Sequence, residues 1–132
     1  MTAVTAAAGF AVAADDKGKK PSLSLKVSPS LVVAPGKVRA SLDVRGGSDD
    51  YEEFYCPTVE WDWGDETTSE AVQDCEPYAA GKSVIKRRFS AEHTYQESGT
   101  YKVTFRMKRK DKVFASASTN LQVQPGPSER PF

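Results

Sequence analysis

The feature that most constrains this chain is a hydrophobic period of two. Leu23, Leu25 and Val27 alternate with Ser24 and Lys26, and beyond an Ala-Pro-Gly turn Val38, Ala40, Leu42 and Val44 alternate with Arg39, Ser41 and Asp43. Side chains of an extended strand point to opposite faces in turn, so each run predicts a strand with one dry and one wet face. The pattern returns in Val59, Trp61 and Trp63, and again in Tyr101, Val103, Phe105 and Met107. A last run places Val113, Ala115, Ala117, Leu121 and Val123 on one parity. Between them "SVIKRRFSAEHTY" is less regular and reads as an edge strand ending near Phe89. Nowhere does a 3.6-residue apolar pattern persist, so no helix is expected.

Six or seven short strands separated by Gly, Pro, Asp and Ser clusters describe an all-β fold, an immunoglobulin-like antiparallel sandwich of two sheets with about seven strands. A small barrel is the alternative on pattern alone. With 132 residues the chain suits one domain. The sandwich is expected over residues 22–124, after a charged, Gly- and Pro-broken linker at 15–21. "KRKDK" (108–112) is the expected tip of the last hairpin, and the Pro-rich segment 125–132 a linker or frayed end.

The opening "MTAVTAAAGFAVAADD" is uncharged before Asp15 and carries Ala-Val-Ala and Val-Ala-Ala tripeptides that suit a signal peptidase. Residues 1–14 therefore read as derived from a secretory signal, although a positive n-region is missing. A disordered Ala-rich tail is the other reading. No apolar run approaches the ~20 residues that span a bilayer. The expected location is secreted, periplasmic or at the cell surface. Two cysteines, Cys56 and Cys75, agree with an oxidising compartment. A bridge between them would close 18 intervening residues and contribute on the order of 3 kcal/mol. Two free thiols are the alternative. A zinc site is short of ligands, with two cysteines and one histidine, His93, in the chain.

The densest stretch is "TVEWDWGDETTSE". Trp61 and Trp63 share one face of a strand and Asp62 takes the other. Gly64 permits a turn that a side chain would resist, and Asp65 suits an Asx turn. Downstream "HTYQESGTYKVTF" places Tyr95 just before a Gly99 turn. Taken together, Trp61, Asp62, Trp63, Gly64 and Asp65, then His93, Thr94 and Tyr95, then Gly99, Thr100, Tyr101, Val103 and Thr104 resemble the signature of the polycystic kidney disease (PKD) domain. The resemblance spans roughly residues 22–124. Glu66 stands where that family usually has glycine, which implies strain on the order of 1 kcal/mol if its φ is positive. Two connections, around "RGGSDDYEEFYCP" and "QDCEPYAAGKS", are longer than is usual there, and the two cysteines lie in them. The resemblance implies a β-sandwich module of extracellular proteins that serves protein or polysaccharide contact, with catalysis elsewhere.

The residues themselves favour no catalytic site. Asp62 and Asp65 flank a turn rather than face each other across a cleft, and His93 precedes the tyrosine corner that the resemblance implies. No cofactor is expected. Asp49, Asp50, Glu52 and Glu53 are weak calcium candidates, because their spacing matches no loop with ligands at fixed offsets. Eighteen basic residues balance eighteen acidic ones, which gives nucleic acid no global attraction. Locally the balance is uneven: twelve acids and one base from Asp43 to Glu76, ten bases and three acids from Lys82 to Val113. Cross-strand pairing of Glu60 and Asp62 with Lys102, Thr104, Arg106 and Lys108 accounts for much of that. Tyr51, Phe54 and Tyr55 in the acidic loop are candidate binding residues, unless Phe54 and Tyr55 pack beneath it. Two functions remain. In one, loops 46–57 and 67–82 hold an unknown protein or polysaccharide. In the other, acidic and basic ends support weak self-association as a spacer or assembly unit.

Overall fold

A computed structural model describes residues 19–127. Residues 1–14, for which the sequence suggests a secretory signal, lie outside the described residues. Eight strands follow one another: β1 (Ser22–Ser28), β2 (Leu31–Val33), β3 (Gly36–Arg45), β4 (Thr58–Asp62), β5 (Thr68–Ala71), β6 (Arg88–Tyr95), β7 (Gly99–Arg109) and β8 (Lys112–Gln124), with one 310 turn at Glu52–Phe54 before β4. They form two sheets, β1-β3-β6 and β2-β8-β7-β4-β5. The architecture is the expected immunoglobulin-like sandwich.

The inward rows are those that the period of two assigns. Val38, Ala40, Leu42 and Val44 of β3 face Val59, Trp61, Val103, Phe105 and Met107 of the second sheet, and all are buried. Burying a side chain of Leu or Phe size stabilises the fold by about 1.5–3 kcal/mol each, so this row outweighs any surface contact. Trp61 meets the Phe105 ring edge-on at 4.9 Å, and Phe89 closes on Phe105 from the other sheet at 5.5 Å.

Several expectations change. β2 runs parallel to β8, so the sandwich is not wholly antiparallel. The chain passes from the first sheet to the second between β1 and β2. Neither β2, three residues long, nor β5, exposed throughout, carries a buried alternating row that could reveal it. The edge strand begins near Phe89 instead of ending there. It runs Arg88–Tyr95 and takes in the His-Thr-Tyr motif, while Ile85 is anchored upstream by its amide donating to the Asp49 carbonyl at 2.8 Å. A register shift falls between Met107 and Lys108, which pair with Ala115 and Val113. Phe114 is the extra residue of this bulge. It packs against the core while Val113 is 45% exposed, which inverts the expected parity there. Residues 19–21 are docked rather than loose: Ser48 N–H donates to the Lys19 carbonyl, and Pro21 is buried.

Candidate functional site

The Trp-Asp-Trp-Gly-Asp stretch turns the chain. Asp62 Oδ1 accepts from the Gly64 amide at 3.0 Å, and Asp65 Oδ1 accepts from the Thr67 amide at 3.2 Å and from the Thr67 hydroxyl. Gly64 has φ 82°, and a Cβ there would lie 2.5 Å from the Lys102 carbonyl oxygen, so only glycine fits. Glu66 sits at φ 71°, the conformation in which a side chain is strained. On the core side Trp63 stacks on His93 at 4.7 Å and 7°, and the Tyr95 ring meets His93 edge-on.

His93 Nε2 lies 2.8 Å from Asp65 Oδ2 and 3.4 Å from Thr67 Oγ1. Partial burial pushes the Asp65 carboxyl up, but the hydrogen bonds from His93 and Thr67 together with the His93 charge outweigh it and hold the carboxyl below its ordinary 3.8. A nucleophile–base–acid relay needs the hydroxyl and the carboxylate on opposite nitrogens of the ring, and here both meet Nε2. The arrangement locks a turn. Asp62 also receives Arg106 at 3.2 Å, and Arg106 bonds Glu60 at 3.0 Å. Lys108 adds bridges to Glu60 at 3.8 Å and Glu70 at 3.1 Å. This ladder absorbs the charge asymmetry between β4 and β7 as expected.

A different assembly occupies one pole of the sandwich, where β3 and β7 end and β4, β6 and β8 begin. The Cys56–Cys75 disulfide joins the two long connections there, with 6.1 Å between the Cα atoms. Tyr55 and Tyr78, one from each connection, meet edge-on at 5.5 Å. Their hydroxyls donate to the Glu76 and Asp50 carbonyls, each at 2.6 Å, so both rings are fixed in place. Burial and the charges of Asp50 and Glu52 push the Tyr78 hydroxyl up, which keeps it a donor. Arg109 donates to the Glu53 and Tyr55 carbonyls at 2.9 and 2.8 Å and lies over the Phe114 ring at 5.6 Å. Two hollows flank Arg109. One of about 400 Å³ is lined by Glu52, Glu53, Tyr55 and Tyr78, and one of about 360 Å³ by Glu53, Lys110, Lys112 and Phe114.

The candidate binding residues separate here. Phe54 is 1% exposed, packed against Tyr51 and Phe114, and belongs to the core because the 310 turn points it inward. Tyr51 is partly buried beside it, and Tyr55 lines the hollow next to Arg109. Sequence reasoning missed Tyr78 and Arg109. Tyr78 sits in an irregular connection and Arg109 in a charge run, and only the disulfide and the hairpin bring them together. Of the calcium candidates, Asp49 is bound by Arg87 at 2.7 Å and Asp50 by Ser48 and the Gly81 amide. Among the described residues no three His, Cys, Asp or Glu side chains gather as a metal site. The acidic loop and the basic hairpin tip are neighbours at this one pole rather than at opposite ends of the sandwich.

The fold so defined is an immunoglobulin-like module of the PKD-like kind. The chain is similar to the PKD domain of an M14-like peptidase from a Thermoplasmatales archaeon, at 14% identity, covering 80% of this chain and 98% of that one, with a TM-score of 0.53. It is also similar to the PKD1 domain from the Vibrio cholerae metalloprotease PrtV (13% identity, 80% and 98% covered, TM-score 0.49). A CARDB domain from Pyrococcus furiosus, in complex with di-metal ions, is a further likeness (10% identity, 82% and 97% covered, TM-score 0.47). The sequence matches no family model and no curated protein. Among the described residues no helix is long and apolar enough to cross a membrane.

Proposed function

We propose that this chain is a non-catalytic contact module, working outside the cytoplasm, that holds a protein or polysaccharide at its disulfide-stapled pole. The observation that carries this reading is the fixed pair Tyr55 and Tyr78 beside the immobilised Arg109 guanidinium. Side chains ordered before binding lose little rotamer entropy on contact, and aromatic and arginine groups dominate the energy of most interfaces. The disulfide, and the Ala-rich opening residues read as signal-derived, support the location.

The test is affinity capture by the oxidised, immobilised chain from secreted and envelope fractions of the source organism, at low and high salt. A partner retained at high salt and lost from the Tyr55→Ala/Tyr78→Ala double variant supports the reading. Retention equal in both, with the variant folded, sinks it.

A further inference from the structure

Among the described residues, the β6 margin of the three-stranded sheet has no neighbouring strand. β6 pairs with β3 on one side only, and among the described residues Arg88–Tyr95 make no other backbone hydrogen bond to a flanking segment. The connection that arrives there from β5 forms no strand to cover it. Exposed edges are usually blunted by short length, a proline, a bulge or charged side chains, and of these β6 carries only the charges of Arg88 and Glu92. β6 is eight residues long, contains no proline, and keeps an unbroken register with β3.

We propose that β6 is a self-recognition edge at which two copies pair antiparallel about a two-fold axis through Ser90, joining their three-stranded sheets into one. The sequence over 88–92 is Arg-Phe-Ser-Ala-Glu, which is complementary to itself when reversed. With the axis on Ser90, Arg88 faces the second copy's Glu92, and Glu92 faces the second copy's Arg88. On the inward row each Phe89 faces an Ala91, and at the centre serine faces serine. Moving the axis to Phe89 sets Arg88 against Ser90, and moving it to Ala91 sets Arg88 against Thr94 and Ser90 against Glu92. An axis between residues sets the outward row against the inward one, which a buried face forbids. Only the Ser90 register matches charge with charge and apolar with apolar, and isologous pairing delivers each match twice.

The groups are placed to make these contacts. Arg88 is engaged through Nε by Asp43 at 3.0 Å, yet its side chain is 79% exposed. Glu92 accepts from Lys37 at 3.0 Å and Arg39 at 3.5 Å on the β3 side and is 47% exposed. Ala91 is half-buried at the margin and would be covered by the second copy. This edge is distinct from the tyrosine pair and does not depend on it.

Sedimentation equilibrium of the oxidised full chain over a wide concentration range tests the inference, with circular dichroism confirming the fold of every variant. The expected result is a monomer–dimer equilibrium. Arg88→Glu or Glu92→Arg alone should raise its dissociation constant roughly tenfold, by turning two attractive pairs repulsive. The double reversal Arg88→Glu/Glu92→Arg should restore it to within about threefold, which a merely structural role for either residue would not do. Should a reversal unfold the domain, Ser90→Asp replaces it. It keeps the hydrogen-bond partner that Arg39 has at this position, 3.3 Å away, and sets two carboxylates face to face on the axis. A wild-type chain that stays monomeric throughout, or a dimer indifferent to Ser90→Asp and to the reversals, overturns the inference.

Discussion

The Tyr95 hydroxyl donates to the Trp63 carbonyl at 2.6 Å, with both rings fully buried. This bond ties the end of β6 to the residue just past β4, and so pins one sheet to the other. Burial, and next the Asp65 charge, push the Tyr95 hydroxyl well above its ordinary range, so it stays a donor at every practical pH. Tyr95→Phe removes the donor and leaves a buried carbonyl unpaired. The expected loss is about 1–2 kcal/mol in urea unfolding, with an unchanged slope. A loss below a few tenths would mean that water or a shifted donor satisfies the carbonyl.

Asp65 gives the fold an acid-sensitive component. A carboxyl held below its unfolded value contributes stability that is present above that value and is lost as pH falls through the folded one. Asp65→Asn is therefore expected to cost roughly 1–2 kcal/mol near neutral pH, and the difference from wild type should shrink as pH falls below the ordinary carboxyl value of 3.8 and through the lowered folded one. Unfolding free energies measured across that range decide it. A difference that does not change with pH would assign the loss to packing on His93 instead of to the carboxylate.

The turn between β4 and β5 holds two residues at positive φ with opposite prospects. Gly64→Ala adds a Cβ that meets the Lys102 carbonyl oxygen at 2.5 Å, in a conformation that already disfavours it. The expected cost is about 2–4 kcal/mol. Glu66→Gly relieves strain at φ 71° and is expected to raise stability by roughly 0.5–1 kcal/mol, since little else holds this exposed side chain. Thermal midpoints moving the same way in both variants would refute the turn geometry.

The core and the turn were legible because each rests on short-range rules. Strand periodicity placed Val38, Leu42, Trp61, Phe105 and Leu121 inside without knowledge of their partners, and Gly64 announced its own turn. Val113 was misassigned because a bulge shifts parity by one residue and turns Phe114 inward, and nothing local in "DKVFAS" marks it. β2 and β5 escaped notice for a related reason: edge strands bury no row of their own and are defined by their neighbours. The candidate site was the least legible part. Its members come from the long connections and the last hairpin, and Tyr55, Tyr78 and Arg109 converge through backbone carbonyls that carry no residue-specific signal. Cys56 and Cys75 were the only sequence sign that the two connections meet.

That disulfide supports its pole more than the sandwich beneath. The connection 72–87 has no regular strand, and single hydrogen bonds tie it to the rest: Gln73 Nε2 to the Pro57 carbonyl at 3.0 Å, the two tyrosine hydroxyls, the Gly81 amide to Asp50, Ile85 to Asp49, and Arg87 to Asp49, Val44 and Gly46. Reduction should cost about 3 kcal/mol globally through the unfolded chain. The local effect is expected to be larger in relative terms. Under reducing conditions that keep the domain folded, amide exchange should accelerate first at 72–84 and around Tyr55, while β3, β7 and the centre of β8 keep their protection. Capture at the pole should fall in parallel, because Tyr55 and Tyr78 then lose their fixed geometry. Uniform acceleration through all eight strands would instead make the disulfide part of the global cooperative unit, and retained capture after reduction would separate binding from the staple.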